Sequence, residues 1–151
     1  MYDEQRRSPL VSGSRIFEER QGVNVEILAV LITHGDLACS LARVSEKLVA
    51  PQTNLHYFST QVLSSEEIIR EINEEIGKIN PGKILIFVDL MGSNCWIIGN
   101  KLKHEHPERT TVISGVNVPM VISYLINYTR LEWDALLEKI VADAKKGIVV
   151  R

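Results

Sequence analysis

The chain has 151 residues, enough for one domain and a core that needs no disulfide or metal staple. Its composition, 45% hydrophobic and 24% charged with a formal net charge of -2, is that of a globular protein and provides no basic stripe for nucleic acid. No stretch reaches the ~20 consecutive apolar residues of a membrane helix, and the two cysteines, Cys39 and Cys95, form no C-x-x-C pair.

Residues 1 to 23 are mostly polar and charged, with Arg6-Arg7 followed by no apolar stretch, so they read as an N-terminal arm rather than a signal peptide. With free thiols expected, the chain reads as cytoplasmic. Val25 to Ile32 is a near-continuous apolar run, the pattern of a buried strand. Leu37, Leu41, Val44 and Leu48 then follow at helical spacing, with Asp36 placed as N-cap and Pro51 as the stop. Cys39 falls in this pattern as a small core residue. Asn54 to Thr60 predicts a second strand, in which His56 is structural. Ser64 and Glu67 make a capping box ahead of Ile69, Ile72, Ile76 and Ile79.

After the Asn80-Pro81-Gly82 turn, Ile84 to Val88 is the strongest strand of the chain and closes on Asp89. Met91 to Asn94 reads as a loop and Trp96 to Leu102 as a helix. His104-Glu105-His106 reads as a solvated turn, not a metal site, because rings at i and i+2 of a helix diverge. Thr110 to Ser114 is a fourth strand, ending at Gly115. Pro119 sits in the first turn of a helix carrying Met120, Ile122, Leu125 and Ile126. Thr129 and Glu132 predict a second capping box before Trp133, Leu136, Leu137, Ile140 and Val141, and Lys145, Lys146 and Gly147 end that helix. Ile148-Val149-Val150 reads as a short terminal strand.

Alternating strands and helices predict an α/β domain, an open and mostly parallel sheet of four strands with helices on both faces. Ligands in such folds sit beyond the carboxyl ends of the strands, where His34, Asp89 and Gly115 all fall. A neutral imidazole is a good nucleophile toward phosphorus, and a carboxylate bonded to one ring N–H fixes the tautomer and frees the other nitrogen. Donors from Gly35 and the helix start behind it, and from the Gly92-Ser93-Asn94 loop, suit phosphoryl oxygens. On the residues alone, an aspartate capping a loop beside an unrelated histidine stands as an equal alternative. Gly92, Gly99 and Gly115 fit neither a P-loop nor a dinucleotide fingerprint. Cys95 has no imidazole or cation next to it in sequence and reads as an inert thiol.

Thr33-His34-Gly35 within residues 27 to 51, Phe87-Val88-Asp89 with its loop, Gly115-Val116-Asn117-Val118-Pro119-Met120, and the helix from Trp133 into Gly147-Ile148-Val149-Val150 together resemble one family. It is the mannose-family enzyme IIA domain of the bacterial phosphoenolpyruvate-dependent sugar phosphotransferase system, and the likeness spans about residues 24 to 151. The resemblance implies that His34 takes a phosphoryl group from the phosphorylated histidine phosphocarrier protein and hands it to a IIB domain. It implies that Asp89 orients that ring, with Thr33, Gly35, Gly92, Ser93 and Asn94 lining the phosphate site and no cofactor or metal needed. A homodimer exchanging the Ile148–Val150 strand is implied too, with membrane contact only through permease subunits. Where the family runs Gly-Gly-Ser-Pro-Phe after the aspartate, this chain reads Gly92-Ser93-Asn94-Cys95-Trp96. A regulatory module controlled by phosphorylation, and a phosphate donor to dihydroxyacetone kinase, are the rival expectations.

Overall fold

A computed structural model describes residues 27–49 and 55–151. The arm at 1–23, Val25 and Glu26 of the first predicted strand, Pro51 and Asn54 lie outside the described residues. In chain order the elements are β1 (Ile27–Thr33), α1 (Leu37–Leu48), β2 (Leu55–Ser59), α2 (Ser65–Ile79), β3 (Lys83–Val88), α3 (Asn94–Glu105), β4 (Thr110–Ser114), α4 (Val118–Asn127) and α5 (Trp133–Lys146).

The four strands form one all-parallel sheet in the order β2-β1-β3-β4. Successive side chains of a strand point to opposite faces, and both faces are filled. Ala29, Leu31, Leu85 and Phe87 pack on one side against Ala38, Leu41, Val121, Tyr124, Leu136 and Ile140 of α1, α4 and α5. Leu28, Val30, Ile32, Ile84, Ile86 and Val88 pack on the other against Ile68, Ile72, Ile98 and Leu102 of α2 and α3. Burial on both faces is why β1 and β3 read as unbroken apolar runs rather than alternating ones.

The strand order reverses at β1. The chain leaves β1 through α1 on one face and leaves its neighbour β3 through α3 on the other. That divergence makes the carboxyl ends of β1 and β3 the topological switch point, the usual ligand position in such sheets.

Several helices differ in detail from the pattern. The capping box of α2 forms as expected, with the Ser64 hydroxyl accepting from the Glu67 N–H and Glu67 from the Ser64 N–H. On α1 the buried face is Ala38, Leu41, Ala42 and Ser45, whereas Leu37, Val44 and Leu48 are 41%, 44% and 65% exposed. Ala38 and Ala42 share one buried cluster with Ala29 of β1, and the close approach that small side chains allow outweighs the wider stripe of large ones. Cys39 is therefore only half-buried. The Thr129–Glu132 capping box is absent. Arg130 and Leu131 donate to the Asn127 carbonyl and prolong the turn after α4, so Glu132 itself is the N-cap of α5 and makes no side-chain cap bond. The helix α3 is longer than expected at both ends, starting at Asn94 and ending at Glu105. His104 and Glu105 thus belong to its last turn, and His106 behind it bonds Asn73 of α2 at 2.9 Å. His56 is a half-buried residue of β2, its pKa lowered by burial against the raising effect of Glu75.

Ile148–Val150 forms no strand in the single chain and stands 78%, 65% and 96% exposed. A strand needs a neighbour to take its backbone hydrogen bonds, and this tail has none among the described residues.

Candidate active site

His34 is the first residue after β1 and Asp89 the first after β3, and the Ile32–Val88 pairing sets their backbones side by side. One carboxylate oxygen, Asp89 Oδ2, accepts from the His34 backbone N–H at 2.9 Å and lies 2.9 Å from His34 Nδ1. A carboxylate only accepts, so Nδ1 carries the hydrogen and Nε2 holds the free lone pair. The imidazole is half exposed, while the carboxyl is largely covered. Burial pushes the Asp89 carboxyl up, but the two His34 hydrogen bonds and the imidazole charge outweigh it and hold its pKa below the ordinary value.

The turn behind His34 is built to start a helix. Gly35 takes φ +56°, which bulkier residues adopt at a cost, and its carbonyl accepts from the Ser59 hydroxyl at the end of β2. Thr33 is fully buried, and its hydroxyl accepts from the Ala38 N–H at 2.7 Å. The helix α1 is therefore capped from three residues before its N-cap position, and Asp36, which occupies that position, makes no side-chain cap bond. This gives Thr33 the task of orienting the helix start rather than pointing at a ligand. Thr33→Val keeps the shape and deletes the acceptor, at a cost of about 1 kcal/mol. Thermal unfolding should show a melting point about 2–4 °C lower; an unchanged one would mean that the hydroxyl does not cap the helix.

The loop after Asp89 is a second helix start. Gly92 lies exposed at φ +80° with open space where a Cβ would be. Ser93 caps α3, donating to the Leu90 carbonyl at 2.7 Å and accepting from the Trp96 N–H at 3.5 Å. The Asn94 amide donates to the Ser65 hydroxyl at the head of α2, 3.1 Å away. The hydroxyls of Thr33 and Ser93 are thus engaged within the fold, and the donors left at the two helix starts are backbone N–H groups. First-turn amides have no intrahelical partner, and with the helix dipole they favour an anion.

Cys95, the second residue of α3, lies beside the ring with Sγ 3.6 Å from His34 Nδ1 and 4.0 Å from Nε2. The imidazole that the sequence does not put beside it is supplied by the fold. Even so the thiol stays protonated: burial first, then the Asp89 charge, push its pKa up to about 11 against the weaker pull of the Thr60 and Ser93 hydroxyls. Ser59 and Thr60 are the site neighbours that sequence reasoning passed over, whereas Cys95 was read there as an inert thiol. The signal for both was available, since Ser59 ends β2 as Thr33 ends β1, and Thr60 follows it as His34 follows β1. His104 and His106 stand apart from this cluster, at the far end of α3. Gly115, at φ +77°, closes β4, and Val116 behind it donates to the Val88 carbonyl.

Comparison with known proteins bears on this arrangement. The family model described as the PTS system fructose IIA component matches residues 28–141. The mannose-specific EIIAB component of the phosphotransferase system from Escherichia coli K12 is 30% identical over 104 residues, which is 66% of this chain and 31% of that protein. The Shigella flexneri counterpart matches to the same extent, so the chain spans about a third of the length of these curated relatives. Among solved structures, a phosphotransferase system component EIIA from Streptococcus agalactiae superposes with a TM-score of 0.74 at 23% identity, over 82% of this chain and 96% of that one. The mannose/sorbose-specific IIA subunit from Enterococcus faecalis superposes with a TM-score of 0.69 at 14% identity, over 85% and 96% respectively. At these identities the structures speak for the fold alone.

Proposed function

The chain belongs to the mannose-type IIA family of the bacterial sugar phosphotransferase system, and from that premise we propose that it is a phosphocarrier with His34 as its acceptor. Phosphorylated histidine phosphocarrier protein is the donor and a IIB domain the recipient. The observation that carries this reading is the double use of Asp89 Oδ2, 2.9 Å from both the His34 backbone nitrogen and Nδ1. It fixes ring and tautomer together and leaves Nε2 nucleophilic on a half-exposed ring.

In the transfer, the Nε2 lone pair attacks phosphorus in line, the N–P bond to the donor imidazole breaks, and that ring leaves with its electron pair. His34 keeps its Nδ1 hydrogen, and the positive charge on the ring is held against the Asp89 carboxylate. Phosphoryl oxygens are received by backbone N–H groups at Gly35, Gly92 and Asn94, between the starts of α1 and α3, while the Ser93 N–H donates to the Leu90 carbonyl and holds the loop. The return step, with a IIB nucleophile in place of the donor, uses the same groups. The test is incubation with phosphoenolpyruvate, enzyme I and the phosphocarrier protein. The expected product is acid-labile phosphate on the chain, and its absence would refute the reading.

The same reading places the protein in the cytoplasm, reaching the membrane only through permease subunits. No helix among the described residues is long and apolar enough to cross a membrane. A homodimer accounts for the exposed Ile148–Val150 tail, because among the described residues β4 is bonded to β3 on one side only, and that edge can take a strand from a second copy. Truncation after Gly147 should convert a dimer to a monomer by light scattering. A truncated chain that stays dimeric would exclude strand exchange.

A further inference from the structure

His34, Asp89 and Cys95 bring three different metal-binding groups to one point, their ligand atoms all within 4.8 Å of one another. Phosphoryl transfer explains the first two and not the third. The Cys95 thiol is fully buried beside a carboxylate. The second oxygen of that carboxylate, Asp89 Oδ1, is buried and has no hydrogen-bond partner among the described residues. A buried unpaired carboxylate oxygen with an imidazole nitrogen and a sulfur beside it is relieved by a cation between them.

The spacing agrees. Zinc bonds of about 2.0–2.3 Å at tetrahedral angles set nitrogen and sulfur donors roughly 3.6 Å apart and nitrogen and oxygen donors roughly 3.4 Å apart. Cys95 Sγ and His34 Nδ1 already stand at 3.6 Å. Nδ1 and Asp89 Oδ2, at 2.9 Å, must part by about half an ångström, or the carboxylate can turn its unpaired oxygen inward. Three protein ligands and an open position on the exposed side of the ring match the donor set of an accessible zinc site.

We propose that His34, Asp89 and Cys95 bind a thiophilic divalent cation of the Zn²⁺ type, and that the bound cation blocks phosphoryl acceptance. The block rests on the phosphocarrier reading; the binding does not. The cation takes the Nδ1 lone pair, one carboxylate oxygen and Sγ as the thiolate. The thiol proton goes to solvent, and the ring hydrogen moves from Nδ1 to Nε2. With its hydrogen on Nε2 the ring has no lone pair left for phosphorus. The protein is thereby switched off by free metal and restored by a chelator.

Titration of the full chain with Co²⁺ as a spectroscopic probe tests the site. A thiolate-to-cobalt charge-transfer band is expected, displaced by Zn²⁺ and abolished by EDTA. Cys39→Ser, which leaves Cys95 as the sole thiol, should keep the band, and Cys95→Ser should lose it. Absence of the band in Cys39→Ser, or its persistence in Cys95→Ser, overturns the site, and the first variant decides even if the second does not fold. The block is read as the Zn²⁺-dependent fall in phosphoryl acceptance from pre-phosphorylated phosphocarrier protein, taken as a ratio within each variant. An equal fall in wild type and Cys95→Ser overturns it. A chain that accepts no phosphate even without metal defeats the phosphocarrier reading instead, and the cobalt band still settles the binding.

Discussion

Replacement of His34 by alanine should abolish phosphorylation of the chain, a fall of more than roughly 10⁴-fold in phosphoryl acceptance once the covalent nucleophile is gone. The ring is half exposed, so its removal leaves no cavity in the core. The His34 backbone N–H still donates to Asp89 Oδ2, and the turn at Gly35 with the start of α1 is kept by Thr33, which holds the Ala38 N–H. Loss of label with an unchanged melting curve therefore identifies the acceptor rather than a folding defect. Acid-labile phosphate that persists in His34→Ala would move the chemistry to another residue. His106 is the control, because its ring is engaged with Asn73 at the far end of α3. His106→Ala should retain the label.

Asp89→Asn should slow transfer by about 10²–10⁴-fold without removing the acceptor. The substitution keeps the volume and deletes the charge. An asparagine oxygen accepts well, but its amide competes for the same place and donates toward Nδ1, which moves the ring hydrogen to Nε2 and removes the attacking lone pair. The neutral side chain also fails to hold the positive charge that His34 carries once phosphorylated. Label should still accumulate slowly, and its half-life on the chain should shorten, both measurable by following acid-labile phosphate with time. Equal rates in wild type and Asp89→Asn would remove Asp89 from the mechanism.

The same carboxylate predicts a pH effect with a definite sign. Its folded pKa lies below the ordinary value, so the folded state binds its proton less readily than the unfolded chain. The stability it contributes is complete above the unfolded value of about 3.9 and is lost as pH falls below that through the folded pKa. Wild type should therefore lose more stability than Asp89→Asn on going from pH 5 to about pH 3, and the two should run parallel at neutral pH. Thermal melts across that range provide the measurement.

The elements that the sequence shows most clearly are those whose side chains are buried on every side. The strands β1 and β3 are apolar without interruption because helices cover both faces of the sheet, and no other setting suits such short runs bounded by turn residues. The box at Ser64 and Glu67 is local chemistry, closed within three residues, and it forms as written. Thr129 and Glu132 match the same local rule and fail, since the turn after α4 takes the Arg130 and Leu131 amides first. The stripe of α1 fails for a different reason. Periodicity counts the large residues Leu37, Val44 and Leu48, whereas the sheet accepts the helix on its small side, Ala38 and Ala42. Hydrophobic pattern measures what is able to be buried, and packing distance decides what is.

The site divides along the same line. Sequence alone determined that an imidazole and a carboxylate each end a buried strand, that a glycine follows the one and a Gly-Ser loop the other, and, through the motifs, which family the chain resembles. Those are short-range facts, carried by neighbours along the chain. Only the tertiary structure decided that β1 and β3 are adjacent, which puts His34 within 2.9 Å of a residue 55 positions away. Only it turned Thr33 into the cap of α1 and set the Cys95 thiol 3.6 Å from the ring. Strand order is set by which helix faces bury the most apolar surface across the whole sheet, a sum over contacts distant in sequence, and no local pattern contains it.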